Sequence, residues 1–276
     1  MEKYLIAIDL DGTLLPNLYG LSDFNVMAFN KIREAGHKII ITTGRPFRSS
    51  FFVYRKLGLD TPLINYNGQL ITNPRDYRYK SFSKTIKKDE VLDIYNHEEG
   101  KYSVFFCEEE DNIYSNIDDE YVHPLMHHSF MSSLYVGDLN KILKKDIHGA
   151  LILAKDGYGK EIEEYVNKHH KNIGARLWAW GPYKEIVELY LKEYNKGTAI
   201  KMVREELGFD KDHTIICGDS INDFEFFQEG TIRITPSNGD DRIKELSTVV
   251  LDKECKDDAI AHYLLEFLNI GEDNGN

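Results

Sequence analysis

Apolar positions along this chain follow two different rhythms. Lys3–Asp9 opens with a short continuous apolar run that stops at a polar, glycine-containing turn. Lys38–Thr42, Pro62–Tyr66, His213–Cys217 and Thr231–Thr235 repeat that form. Continuous runs of this length predict strands buried on both faces of a parallel sheet. Between them, Ser22–Ala35 carries Phe24, Met27, Ala28, Phe29 and Ile32 near helical spacing, with Ser22 as N-cap and Gly36 as the stop. Pro46–Leu57 reads as a helix ended by Gly58, so the first 66 residues predict β-α-β-α-β. The last third repeats the idiom. Helices are predicted over Gly197–Leu207, from Asn222 to Gln228, and over Asp240–Leu246. Val249–Leu251 is a final strand and Asp257–Leu268 a closing helix, and the tail GEDNGN is expected to fray.

From about Phe82 to Leu191 the grain changes to amphipathic, tyrosine-rich strands. Tyr102–Cys107 and Asn112–Asn116 flank the acidic turn EEED and predict a hairpin. Strands Gly149–Ala154, Arg176–Trp180 and Glu185–Leu191 and helix Lys160–His170 complete an α+β block with mostly antiparallel pairing. The chain therefore predicts an α/β core formed by residues 1–82 and 191–276, with an α+β domain of residues 83–190 inserted in it.

Length and composition narrow the possibilities. At about 150 residues per domain, 276 residues make about two domains. A chain 42% hydrophobic and 29% charged is globular, not disordered. With 46 acidic and 34 basic residues the net charge is −12, a field that repels nucleic acid and anionic lipid. An anionic substrate must then be met by locally placed cations or a metal. Cys107, Cys217 and Cys255 are few and far apart, which fits a reducing compartment. The N-terminal apolar run is too short for a signal peptide, and no stretch approaches the ~18 apolar residues of a membrane span. A soluble, cytoplasmic protein is the expectation, with no nucleic-acid or membrane partner.

Four segments carry chemistry, each at the carboxyl end of a predicted strand or the start of the next helix. The first is Asp9-Leu10-Asp11-Gly12-Thr13, two carboxylates two residues apart where α/β sheets bind ligands. A calcium loop starting at Asp9 would need Gly and Glu at its sixth and twelfth positions, where Leu14 and Gly20 stand. The second is Thr43-Gly44, whose hydroxyl and backbone N–H suit a phosphate oxygen, although a helix N-cap explains it as well. The third is Lys196, and the fourth is Gly218-Asp219-Ser220-Ile221-Asn222-Asp223. Carboxylate oxygens without His or Cys partners select a hard divalent ion, most simply Mg²⁺.

These motifs, D-x-D-G-T, T-G-R, N-K-G-T-A and G-D-S-x-N-D in that order around a long insert, resemble the haloacid dehalogenase-like phosphatases. They are most similar to the Cof-type sugar-phosphate phosphatases of subfamily IIB, and Tyr66-Asn67-Gly68 matches a further segment of that pattern. The resemblance implies a Rossmann-like parallel-sheet core with the α+β insert as a cap. It implies a phosphoric monoester hydrolase acting on a small phosphorylated metabolite, such as a sugar phosphate. Asp9 would be the nucleophile that becomes an aspartyl-phosphate, and Asp11 the acid and then the base. Mg²⁺ would sit on the Asp9 carboxylate, the Asp11 backbone carbonyl and Asp219, with Asp223 beside it. The Leu10 and Gly44 N–H groups, Thr43, Lys196 and Asn222 would hold the phosphoryl oxygens. Arg45, Trp178, Trp180 and Tyr183 are candidates for substrate specificity.

Other motifs are weaker. His123, His127 and His128 invite a zinc reading, but no H-E-x-x-H pattern or further ligand stands at the right spacing. Gly157-Tyr158-Gly159-Lys160 lacks the Walker spacing. A phosphomutase and a receiver-type phospho-accepting switch are the alternative functions. The switch is about half this length and needs no proton donor two residues past the acceptor.

Overall fold

A computed structural model of the protein describes residues 2–129 and 131–271, so the tail, Gly271 apart, lies outside the described residues. In chain order the elements are β1 (Leu5–Ile8), α1 (Asp23–Glu34), β2 (Lys38–Ile41), α2 (Phe47–Lys56), β3 (Leu63–Asn65), β4 (Leu70–Thr72) and β5 (Phe82–Ser83). Next come α3 (Lys88–His97), β6 (Tyr102–Glu109), β7 (Asn112–Ser115), β8 (Ser133–Val136), α4 (Leu139–Ile142), β9 (Gly149–Ala154), α5 (Gly159–His169), β10 (Ile173–Trp180) and β11 (Tyr183–Leu191). The chain closes with α6 (Lys196–Glu206), β12 (Thr214–Cys217), β13 (Ile232–Thr235), α7 (Asp241–Leu246), β14 (Val249–Val250) and α8 (Ala259–Phe267). The chain forms two compact units. The first takes the described residues up to Arg45, then Ser50–Phe82, and those from Asn195 on; the second takes Pro46–Ser49 and Ser83–Tyr194.

In the first unit the strands order as β14-β13-β12-β1-β2, every neighbouring pair parallel. The apolar run LIAI of β1 is buried at all four positions because strands flank it on both sides and α6 packs against it. Leu5, Ala7, Ile40 and Ile216 pack with Ala199, Ile200 and Val203 of α6 and with Phe226 and Phe227. Helix α1 starts where Ser22 accepts the Asn25 N–H at 2.9 Å, and it turns off through Gly36 at φ +94°.

The third predicted strand, β3, meets the parallel sheet through the parallel bridge Thr42–Ile64, just past the end of β2, and pairs antiparallel with β4. The cause is a reversal at Tyr66–Gly68, where three residues in a row have positive φ. Residues Asn222–Gln228 are two short 3₁₀ turns, Ile221–Asp223 and Phe226–Glu229, and not the start of an α-helix. The first turn closes on itself because the Asp223 carboxylate takes the N–H groups of Asp219 and Ser220.

The second unit is built on a sheet of order β10-β11-β9-β6-β7-β8, antiparallel throughout except for the parallel pair β7–β8. Alternation along β6 sends Phe105 and Cys107 to one face, with Val91, Ile94, Ile162 and Val166 of the helices. Val104 and Phe106 go to the other face, with Val122 and Met126. The helix Lys88–His97 and the strands β4 and β8 are additions to the elements that the sequence predicts. Cys107, Cys217 and Cys255 are free and buried. Among the described residues no helix is long and apolar enough to cross a membrane.

Candidate active site

Parallel register sets the site. Ile8 lies opposite both Cys217 and Ile41, so the carboxyl ends of β12, β1 and β2 stand side by side. The Asp9 N–H donates to the Cys217 carbonyl at 2.9 Å, and the Thr42 N–H donates to the Ile8 carbonyl at 2.9 Å. The residues just past these strands, Asp9, Gly218-Asp219 and Thr43, are thereby brought to one edge.

Lys196 arrives there because Asn195 caps α6. The Asn195 side chain accepts the Thr198 N–H and the Thr198 hydroxyl accepts the Asn195 N–H, both at 2.9 Å. That box fixes Lys196 as the first helical residue, fully buried. Its Nζ lies 2.8 Å from Asp9 Oδ1 and 2.7 Å from Asp223 Oδ1. The other Asp223 oxygen accepts the Asp219 and Ser220 N–H groups at 3.0 and 3.1 Å. Asp219 Oδ1 accepts the Thr13 hydroxyl at 2.6 Å. Gly12 makes this approach possible: at φ +76°, a Cβ there would fall 2.2 Å from Asp219 Oδ2.

Two buried acids thus share one buried lysine, with the half-buried Asp219 beside them. Burial raises the Asp9 carboxyl to about 7; Lys196 pulls it down while Asp223 and Asp11 push it up. Burial likewise holds Asp219 well above the ordinary carboxylate value, reinforced by Asp9 and Asp223. Burial alone would lower Lys196, but Asp223 and Asp9 outweigh it and its pKa is raised. Among the described residues, Asp9, Asp219 and Asp223 are the one group of three possible ligands whose atoms all lie within 4.8 Å of one another. An all-oxygen, electron-rich set with one compensating lysine fits a hard divalent cation.

The Asp11 carboxylate stands outside that group. Arg45 holds it from Nε at 2.7 Å and from Nη2 at 2.5 Å, and donates from Nη1 to the Leu18 carbonyl at 2.8 Å. Arg45, a specificity candidate by sequence, is buried and grips Asp11 with a bidentate fork. The Leu10 carbonyl accepts N–H groups from Thr13, Leu14 and Leu15, which curls the loop after β1. Thr43 is fully buried; its hydroxyl accepts the Arg45 N–H at 3.1 Å and its carbonyl accepts the Asn67 N–H at 3.0 Å. Asn222 donates from Nδ2 to Asn67 Oδ1 at 3.1 Å. Asn67 takes no role in the site that the sequence predicts. An Asn-Gly pair after a strand is the available signal, because those residues favour the left-handed conformation.

Trp178, Trp180 and Tyr183 belong to the second unit, where both tryptophans pack against the cluster around Val104, Phe106 and Ile186. Tyr183 is buried, its hydroxyl is bonded to the Tyr121 carbonyl, and its ring stacks on Trp180 at 6.0 Å. His123 pairs with Asp118 at 2.8 Å and His128 with the Ser132 hydroxyl at 2.8 Å. Gly157 and Gly159 direct their N–H groups at the Glu185 carboxylate, each at 2.6 Å, which occupies that loop with the chain's own acid.

Comparison with known proteins agrees with this geometry. A family profile described as haloacid dehalogenase-like hydrolase matches residues 6–264. The chain is 29% identical over 274 residues to the 5-amino-6-(5-phospho-D-ribitylamino)uracil phosphatase YitU of Bacillus subtilis, covering 98% of this chain and 99% of that one. It is 24% identical to the pyridoxal phosphate phosphatase YbhA of Escherichia coli, covering 97% and 100%. The fold matches the crystal structure of a haloacid dehalogenase-like hydrolase from Bacteroides thetaiotaomicron with a TM-score of 0.80, 17% identity, and coverage of 96% and 100%.

Proposed function

This chain belongs to the haloacid dehalogenase-like hydrolases, its relatives are phosphatases, and from that premise we propose a Mg²⁺-dependent phosphatase of small phosphorylated metabolites working through an aspartyl-phosphate. The observation that carries the reading is Asp9 at the carboxyl end of β1, 2.8 Å from a buried Lys196 and grouped with Asp219 and Asp223.

Asp9 attacks phosphorus in line with the leaving oxygen. The bond from Asp9 to phosphorus forms as the ester P–O bond breaks, and Asp11 gives its proton to the departing alkoxide. Water then attacks the phosphorus of the aspartyl-phosphate, Asp11 takes the water's proton, and orthophosphate leaves with Asp9 regenerated. Lys196, Thr43, the Leu10 and Gly44 N–H groups and Asn222 hold the phosphoryl oxygens as charge develops on them. Asp9 and Asp219 would hold the ion, with Asp223 beside them and locked by Lys196. Bound Mg²⁺ supplies charge neutralisation between carboxylates and phosphate. We place the enzyme in the cytosol, in keeping with three free, buried thiols.

The test is a panel of phosphate esters, with sugar phosphates, pyridoxal phosphate and 5-amino-6-(5-phospho-D-ribitylamino)uracil included, assayed with Mg²⁺ and with EDTA. Release of orthophosphate that EDTA stops and Mg²⁺ restores is the expected result. Return of the phosphoryl group to a sugar would make it a mutase, and an aspartyl-phosphate that persists would make it a switch.

A further inference from the structure

We propose that Asn67 is a positioning residue for phosphoryl binding, setting the Asn222 amide and the Thr43–Gly44 loop; this rests on the reading of the site as a phosphatase. Tyr66 and Asn67 have φ of +49° and +51°, and Gly68 comes next at +102°. Two consecutive residues with side chains rarely share this conformation, so the surroundings must hold them in it. They do so from both sides. The Asn67 N–H donates to the Thr43 carbonyl at 3.0 Å, and the Tyr66 N–H and Asn65 Nδ2 donate to the Arg45 carbonyl at 3.3 and 2.9 Å. Gly68 abuts the Asn195 carbonyl so closely that a Cβ would fall 2.4 Å from it. The turn thus touches the segment holding Thr43 and Gly44 and the residue that delivers Lys196.

The Asn67 carboxamide lies between two groups assigned to phosphoryl oxygens. A Cβ on Gly44 would sit 3.2 Å from Asn67 Oδ1 and 3.4 Å from its Nδ2, so the side chain covers that glycine. Oδ1 accepts from Asn222 Nδ2 at 3.1 Å, while Asn222 Oδ1 is buried with no hydrogen-bond partner among the described residues. An asparagine amide has two orientations that differ little in shape. Among the described residues, the bond to Asn67 is the contact that orients the Asn222 amide. It keeps the NH₂ forward, with a second hydrogen for a phosphoryl oxygen; the flipped amide would present a carbonyl oxygen and repel it.

The experiment is a double-mutant cycle in the full chain with Mg²⁺: wild type, Asn67→Gly, Asn222→Ala and both together. Glycine keeps the positive φ and removes only the side chain. The readouts are the competitive Ki of orthophosphate, KM and kcat for p-nitrophenyl phosphate, and the melting temperature. Asn67→Gly is expected to raise Ki and KM about tenfold, with a smaller change in kcat, and to add less than about twofold once Asn222 is Ala. Effects that multiply in the double variant, or a lower melting temperature with Ki unmoved, would overturn the proposal. Should Asn67→Gly not fold, Asn67→Ser takes its place in the same cycle. If the wild type hydrolyses no phosphate ester, the phosphatase reading fails. Orthophosphate binding to the same four proteins by calorimetry then still decides the role of Asn67.

Discussion

The guanidinium of Arg45 grips the carboxylate of Asp11 through two bonds, 2.7 Å from Nε and 2.5 Å from Nη2, across 34 residues of sequence. The residue assigned to proton transfer is therefore aimed by a buried fork from the neighbouring strand end. An ammonium cannot reproduce a bidentate fork.

Removing the acid and removing its support have different expected sizes. Asp11→Asn is expected to lower kcat about 10²–10⁴-fold on alkyl phosphates. The loss should be smaller on p-nitrophenyl phosphate, whose leaving group needs less protonation. Arg45→Lys keeps the acid but loosens it, and should cost about tenfold on the alkyl substrate. Parallel kcat measurements on both esters check this; equal losses on both for Asp11→Asn would remove it as the acid.

Asp9 and Asp223 share Lys196, and the half-buried Asp219 stands beside them, so three neighbouring acids are offset by one cation. Mg²⁺ is expected to raise the melting temperature of the wild type, because it binds the folded state. Asp9→Asn should abolish turnover, melt higher than wild type without metal, and show a smaller Mg²⁺-induced rise. Thermal melts with EDTA and with Mg²⁺ measure both parts, and a Mg²⁺ response unchanged in Asp9→Asn would count against the cluster as the ion site.

Gly12→Ala should disable the site at its narrowest point. The left-handed φ alone costs about 1–2 kcal/mol. The new Cβ would also collide with the Asp219 carboxylate, 2.2 Å away. Phosphatase activity and the Mg²⁺-induced rise in melting temperature are expected to fall together, and normal activity would show that Asp219 is not needed where it stands.

In the second unit, His148 is buried, with Nε2 3.0 Å from the Ser83 hydroxyl and Nδ1 3.4 Å from the Glu110 N–H. Burial lowers its pKa below the ordinary 6.5, with Glu109 opposing. In the window below 6.5 the unfolded chain binds more protons than the folded one, so this contribution to stability falls as pH falls. His148→Gln, neutral throughout, should flatten the decline in melting temperature between about pH 7 and pH 5. An unchanged slope would assign the pH dependence to other groups.

Taken alone, the amino-acid order determined what neighbours within a few residues decide. The runs LIAI, KIII and TIIC form strands because every residue is apolar enough to be buried on either face, apart from the half-buried Lys38 and the hydroxyl of Thr214. Ser22 starts its helix through a bond to a residue three positions on. The acids and the lysine at strand ends and helix starts were legible for the same reason. Which charge meets which was settled only in three dimensions. Lys196 pairs with Asp9 because β12 lies beside β1 and α6 packs on that sheet, an order that no local pattern contains. The Asp223 turn abandons the α-helix because its carboxylate is committed to the Asp219 and Ser220 N–H groups and to Lys196. Asn67 adopts a left-handed backbone because Thr43 and Asn222, distant in sequence, hold both its N–H and its side chain. Propensity and capping act over about one helical turn, whereas burial fixes a charge only once the groups that compensate it have been brought into contact.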